Sequence, residues 1–145
     1  MVLIKFIKYS KNDIYQMAVN EQWSGKGTSE EPFIIESDNS LPLRSIIKDS
    51  SFFIVVRNST FISLALNKCK NIRFERCIFE VLQLINCSDI IINQCSFKLR
   101  LDLIRSHNSC NQNSFIPFLS FAMSYENRFK TCRITQIFNN FSRAN

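Results

Sequence analysis

Between Ile54 and Phe97, apolar residues fall at alternate positions, and the alternation returns eighteen residues later with nearly the same residues. LALNKCKNIRFERCIF at 64–79 is followed by LQLINCSDIIINQCSF at 82–97, matching Leu64 with Leu82, Leu66 with Leu84, Cys69 with Cys87, Ile72 with Ile90, Cys77 with Cys95 and Phe79 with Phe97. Alternation marks strands with one inward face. A fixed period with matched apolar slots marks a solenoid, one coil stacked on the next. The pattern predicts four inward columns: Ile54/Ile72/Ile90, Val56/Phe74/Ile92, Phe61/Phe79/Phe97/Phe115 and Ser59/Cys77/Cys95/Asn113. It leaves Val55, Arg73 and Ile91, with Arg57, Glu75 and Asn93, facing outward, and sets Arg57 beneath Glu75 as an exposed ion pair.

The ends of the repeat set the domain organisation. Residues 1–22 carry no repeat and are expected to form an N-terminal cap, with a short helix over Asp13 to Val19; an open solenoid end needs such a cover. Residues 23–134 are expected to form the β-helix, in about five short coils. After Phe97 the register drifts, so that Leu101 and Leu103 follow Leu82 and Leu84 at a spacing of nineteen. Asn108 to Phe115 reads as a degenerate polar coil, and Phe121, Met123, Phe129, Cys132 and Ile134 as the last one. Residues 135–145, with Phe138 and Phe141, are a candidate second cap or tail; Phe118, Phe121 and Phe138 alternatively form a docking surface. With only two glycines in the chain, both in one turn at Gly25 and Gly27, the corners fall to asparagine: Asn58, Asn67, Asn71, Asn86, Asn93, Asn108, Asn111 and Asn113. Asparagine tolerates the left-handed backbone better than other side-chain-bearing residues. The Gly-x-Gly precedes its strand and lacks a following Lys-Ser/Thr, so it is a tight turn and not a phosphate loop.

Trp23-Ser-Gly-Lys-Gly-Thr, followed by Pro32-Phe-Ile-Ile-Glu36, resembles the lead-in segment of right-handed parallel β-helix proteins of the pectin-lyase-like class. The phrases at 49–61 and 86–97 are similar to their coil repeats, also found in NosD-like periplasmic proteins. The resemblance spans roughly residues 23–134 and implies an all-β, right-handed, single-stranded parallel β-helix. It implies no single activity, since enzymes, binding modules and structural proteins share the repeat. A left-handed hexapeptide helix also has eighteen-residue coils, and Leu66, Ile72, Ile78, Leu84 and Ile90 do fall six apart. That series breaks at Ser96 and Asp102, which favours the right-handed form.

The 145 residues suit one domain, and their formal charge of +6 admits an acidic partner. The basic residues are scattered, which argues against nucleic acid and for a solvated surface. No apolar run is long enough to span a bilayer, and MVLIKFIK, broken by Lys5 and Lys8, has no signal-cleavage pattern, so a cytoplasmic location is expected. The six cysteines (69, 77, 87, 95, 110 and 132) include no closely spaced pair of the zinc-site kind. Cys69 over Cys87 and Cys77 over Cys95 come within disulfide reach, but the favoured reading is free thiols filling inward slots that Ser51 and Ser59 fill in the neighbouring coil.

Neither a cofactor nor a metal is implied. Lyases of the resembled class cluster acidic residues around calcium, whereas the acids here do not stack in one column. His107 is the only histidine. Asp89, Asp102, Arg105 and His107 are a candidate acidic and imidazole edge, in which Asp89 and Asp102 would be the two carboxylates of a degenerate lyase or glycosidase. The preferred reading is non-catalytic: an outer face with Lys70, Arg73, Arg76, Ile91 and Asn93 that holds an extended partner, either a polysaccharide or another protein. The alternative is a structural protein that forms homo-oligomers end to end or laterally, as short β-helices of the bactofilin class do. An uncapped apolar terminal coil would favour assembly; covered ends and a groove of aligned polar groups would favour binding.

Overall fold

A computed structural model describes residues 7–36 and 43–140. It contains one helix, α1 (Lys11–Asn20), and thirteen strands: β1 (Ile7–Tyr9), β2 (Phe33–Ile35), β3 (Arg44–Lys48), β4 (Ile54–Arg57), β5 (Thr60–Asn67), β6 (Lys70–Glu75), β7 (Ile78–Ile85), β8 (Ser88–Asn93), β9 (Ser96–Ile104), β10 (Cys110–Gln112), β11 (Phe115–Ala122), β12 (Arg128–Lys130) and β13 (Arg133–Asn140). The odd-numbered strands form a seven-stranded parallel sheet in chain order, and the even-numbered strands a six-stranded one. The chain alternates between the two sheets and advances one rung at a time. This is a parallel β-solenoid of about six turns, close to the expected five. Ile78, which a sixfold repeat would turn inward, is 40% exposed, and the middle strands of the seven-stranded sheet, β5, β7 and β9, run to eight or nine residues.

The core follows the predicted columns. Ile54, Ile72 and Ile90 stack in register, as do Val56, Phe74 and Ile92, and all six are buried. Phe61, Phe79 and Phe97 stack with ring centroids 5.5 and 5.2 Å apart, while Phe74 meets Phe79 edge-on. Such columns exist because parallel strands lie about 4.8 Å apart and bring like side chains into contact. Higher up, two expected members are displaced by one residue. β9 carries one extra residue between Phe97 and Arg100, where Leu99 turns out to solvent. Ile116 therefore takes the core slot expected for Phe115, which is 41% exposed, and Ser114 takes the slot expected for Asn113. A nineteen-residue spacing likewise puts Ser50, not Ser51, in the column of Cys69.

The corners explain both the asparagines and the cysteines. Three corner columns adopt the left-handed conformation: Asp49, Lys68, Asn86, Arg105 and Met123; Asn71, Asp89, Asn108 and Glu126; and Asn58, Arg76, Gln94, Asn113 and Thr131. In the first and third columns the next residue is Ser or Cys, turned inward. Except at Ser50, whose buried hydroxyl has no partner among the described residues, its hydroxyl or thiol donates to the carbonyl two residues back, and in most rungs also to one on the rung below. Cys87 bonds Ile85 O and Leu66 O (3.3 and 3.2 Å), and Ser106 one rung up bonds Ile104 O and Leu84 O (3.1 and 2.8 Å). Ser106 Oγ also accepts from the Cys87 N–H. A buried corner leaves backbone groups that the strands cannot satisfy, and a small donor that also accepts satisfies them. Among the described residues the thiols are free, and Cys69, Cys77, Cys87 and Cys95 are buried. Three asparagines depart from the expected corner role: Asn67 and Asn93 are the last residues of β5 and β8 without left-handed backbone, and Asn111 lies fully buried in the column of Phe74 and Ile92.

The two ends differ. At the N-terminal end, α1 starts at a reciprocal Ser10–Asp13 capping box and buries Ile14 and Ala18 beside Trp23. Gly25 (φ +92°) closes the following turn, where a Cβ would meet the Pro32 carbonyl oxygen at 1.8 Å. At the other end, the segment expected as a second cap continues the sheet up to Asn140 as part of β13, and residues 141–145 lie outside the described range. Ile137 occupies the inward column of Leu119, yet it is 62% exposed, because no described rung lies above it. No helix among the described residues is long and apolar enough to cross a membrane.

Candidate functional site on the six-stranded face

Pleating turns two columns of the six-stranded sheet outward: Ile34, Val55, Arg73, Ile91, Cys110 and Arg128; and Arg57, Glu75, Asn93, Gln112 and Lys130. Where the lead-in turn folds beside the first rungs, this face carries a depression of about 320 Å³, with Pro32, Phe53, Val55, Arg73, Asp89 and Ile91 among its lining residues. The floor is apolar. Arg73, Asp89 and Asn71 supply hydrogen-bonding groups at its margin.

Arg73 is held by a short chain of charges. Its Nε lies 2.6 Å from Glu75 Oε1; the other Glu75 oxygen takes Arg57 Nε at 3.3 Å, and Arg57 Nη1 reaches Glu36 at 3.6 Å. The predicted Arg57–Glu75 stacking is thus present. Being part-exposed, these pairs contribute little to stability; they fix where the Arg73 guanidinium sits.

The remaining sequence-predicted residues are dispersed around this groove. Lys70 lies at the preceding corner with Lys68, Asn86 and Ser88. Arg76 donates from Nε to Asn58 Oδ1 at 3.0 Å, and the Asn93 side-chain oxygen accepts from Asn113. The expected edge of Asp89, Asp102, Arg105 and His107 is only partly assembled. Asp89 accepts from Asn108 and Ser88 and borders the groove. His107 pairs with Ser88 and stacks on Tyr125, with ring centroids 4.9 Å apart. Arg105 is an exposed corner residue. Asp102 stands on the seven-stranded sheet, 8% exposed, accepting from Gln83 Nε2 (3.1 Å) and Arg100 Nε (2.9 Å). Asp89 and Asp102 share no partner and issue from different sheets. No group of three or more His, Cys, Asp or Glu side chains among the described residues could hold a metal ion.

Burial pushes the Cys87 thiol up to about 12. The hydrogen bond with Cys77, and then burial, likewise hold Cys95 protonated. These are inert, structural thiols.

Sequence reading missed Phe53 and Pro32. In register, Phe53 precedes Ile54 as Asn71 precedes Ile72, so an aromatic ring stands where later coils carry Asn71, Asp89 and Asn108. That break in a polar column was the available signal. Comparison of the chain with protein-family models, curated proteins and solved structures finds no match.

Proposed function

We propose that this chain is a non-catalytic binding module whose six-stranded face holds an extended partner, a polysaccharide chain, across successive rungs. The observation that carries the reading is the groove in which exposed Phe53 and half-buried Val55 and Ile91 lie beside Arg73, Asp89 and Asn71. Flat apolar surface suits the carbon face of a sugar ring, and fixed donors and acceptors at its edge suit hydroxyls. The rung repeat of about 4.8 Å sets equivalent groups along the solenoid axis, as an extended chain requires. The test is titration calorimetry against neutral and acidic polysaccharides with wild type, Phe53→Ala and Arg73→Ala. Saturable binding weakened about tenfold by either substitution supports the reading. Binding that ignores both substitutions, or no binding to any glycan, overturns it.

A second reading, self-association, is favoured by the exposed Ile137 and Phe138 on the terminal strand. With α1 packed at the other end, contact through β13 would pair two copies tail to tail and stop there. Light scattering of wild type against Ile137→Lys separates a dimer lost on substitution from a constant monomer.

A further inference from the structure

We infer that the C-terminal rung is an open edge that takes an extended acidic peptide, laid down as the next rung of the solenoid. β12 and β13 are the last strands of their sheets, and each is paired on one side only among the described residues. Such an edge offers backbone N–H and C=O groups to an incoming extended chain. Apolar slots stand beside those groups. Ile137 heads the inward column of Leu64, Leu82, Leu101 and Leu119, yet it is 62% exposed; Ile134 stands over Ile116.

The charges of this rung set the chemistry of its occupant. Between residues 123 and 140 the chain has one acid, Glu126, and three bases, Arg128, Lys130 and Arg133. All three bases are exposed, and none has an ion pair among the described residues. Beneath Arg128 stand Cys110 and Ile91, and beneath Lys130 stand Gln112 and Asn93, so the outward columns supply no carboxylate from below. The first rungs show the missing arrangement. Lys130 ends the outward column that includes Arg57, and there the next rung up supplies Glu75, whose carboxylate accepts from Arg57 Nε at 3.3 Å. An acid in the same slot of an added strand would meet Lys130, and one two residues earlier would meet Arg128. A second copy docked tail to tail meets the reverse. With Phe129 facing Phe129, Arg128 of each copy faces Lys130 of the other, and like charges directly opposite are destabilising.

The experiment titrates the intact chain into a dye-labelled peptide written to lie over residues 128–140 and follows fluorescence anisotropy. The peptide carries glutamate over Arg128, Lys130 and Arg133, valine over Phe129, Ile134 and Ile137, asparagine and serine at the corner, and threonine elsewhere. Its counterparts replace glutamate by glutamine or by lysine, or are N-methylated throughout. The expected result is saturable binding of the glutamate peptide, about tenfold weaker with glutamine and absent with lysine or N-methylation. Arg128→Glu combined with Lys130→Glu should reverse the ranking, so that the lysine peptide binds and the glutamate peptide does not. Ile137→Asp should weaken the glutamate peptide about tenfold. All three positions are exposed, and circular dichroism checks that the variants fold. Phe53→Ala should leave every titration unchanged, which keeps this edge distinct from the glycan groove. No saturable binding, equal binding of the lysine or N-methylated peptide, or a ranking unmoved by the charge reversal overturns the inference. Light scattering that shows the free chain already dimeric through β13 overturns it too, since the edge would then be occupied.

Discussion

Asn111 offers the sharpest test of the core. Its side chain is fully buried in the column of Phe74 and Ile92, and neither its Oδ1 nor its Nδ2 has a hydrogen-bond partner. An unpaired buried polar group costs about 1–3 kcal/mol. Asn and Leu branch at the same carbon, and the rungs on either side carry Ile92 and Phe129, so Asn111→Leu exchanges the amide for methyls of similar shape. The expected gain is about 1–3 kcal/mol, a rise in melting midpoint of roughly 2–12 °C for a chain of this size. The mirror change one rung down, Ile92→Asn, removes a buried aliphatic side chain and adds an unsatisfied amide. It should cost at least about 3 kcal/mol. Thermal and urea unfolding followed by circular dichroism measure both. If Asn111→Leu lowers stability by more than about 1 kcal/mol, the amide has a partner and the polar-defect reasoning fails.

The two faces of one strand should respond oppositely: Ile72→Asp puts an unpaired charge into a dry column and should prevent folding, whereas Arg73→Ala should shift the melt by less than about 0.5 kcal/mol. The reverse ranking in thermal melts would mean that the inward and outward assignments are exchanged. The Cys87 thiol is raised from 9.0 to about 12, so its stabilising effect is intact below 9.0 and is lost as pH climbs through that window. The slope is about 1.4 kcal/mol per pH unit. Cys87→Ser, which copies Ser106 one rung above, should flatten part of the alkaline loss when urea midpoints at about pH 7 and about pH 10 are compared. Thr131 is β-branched and left-handed at φ 54°, in the column of Asn113. Thr131→Asn should raise stability by about 1 kcal/mol in urea titration, and a decrease would show that the hydroxyl has a role at that corner.

Much of this fold is legible in the chain because the stacked columns repeat. Leu64, Leu82 and Leu101 declare one column, and the three phenylalanines another, without any coordinates. The misreadings cluster where a coil holds nineteen residues. A period locates an extra residue only to within its coil, so Phe115 or Ile116, and Asn113 or Ser114, fit the inward slots equally well until the bulge in β9 decides. Asn111 was hidden by its residue type, since asparagine between strands reads as a turn. The groove was half legible: Arg73 and Ile91 follow from alternation, but Pro32 arrives from the lead-in turn, which the repeat does not describe.

Because each rung is bonded chiefly to the rungs directly above and below, and among the described residues a helix covers the N-terminal end alone, resistance to force depends on direction. Tension applied at Asn140 would peel β13, then β12 from the other sheet, then β11, each step breaking one strand's worth of bonds at low load. Shear across the sheets would have to break whole ladders together. Mechanically the chain is a zipper with its slider at the C-terminal rung, and unravelling starts there.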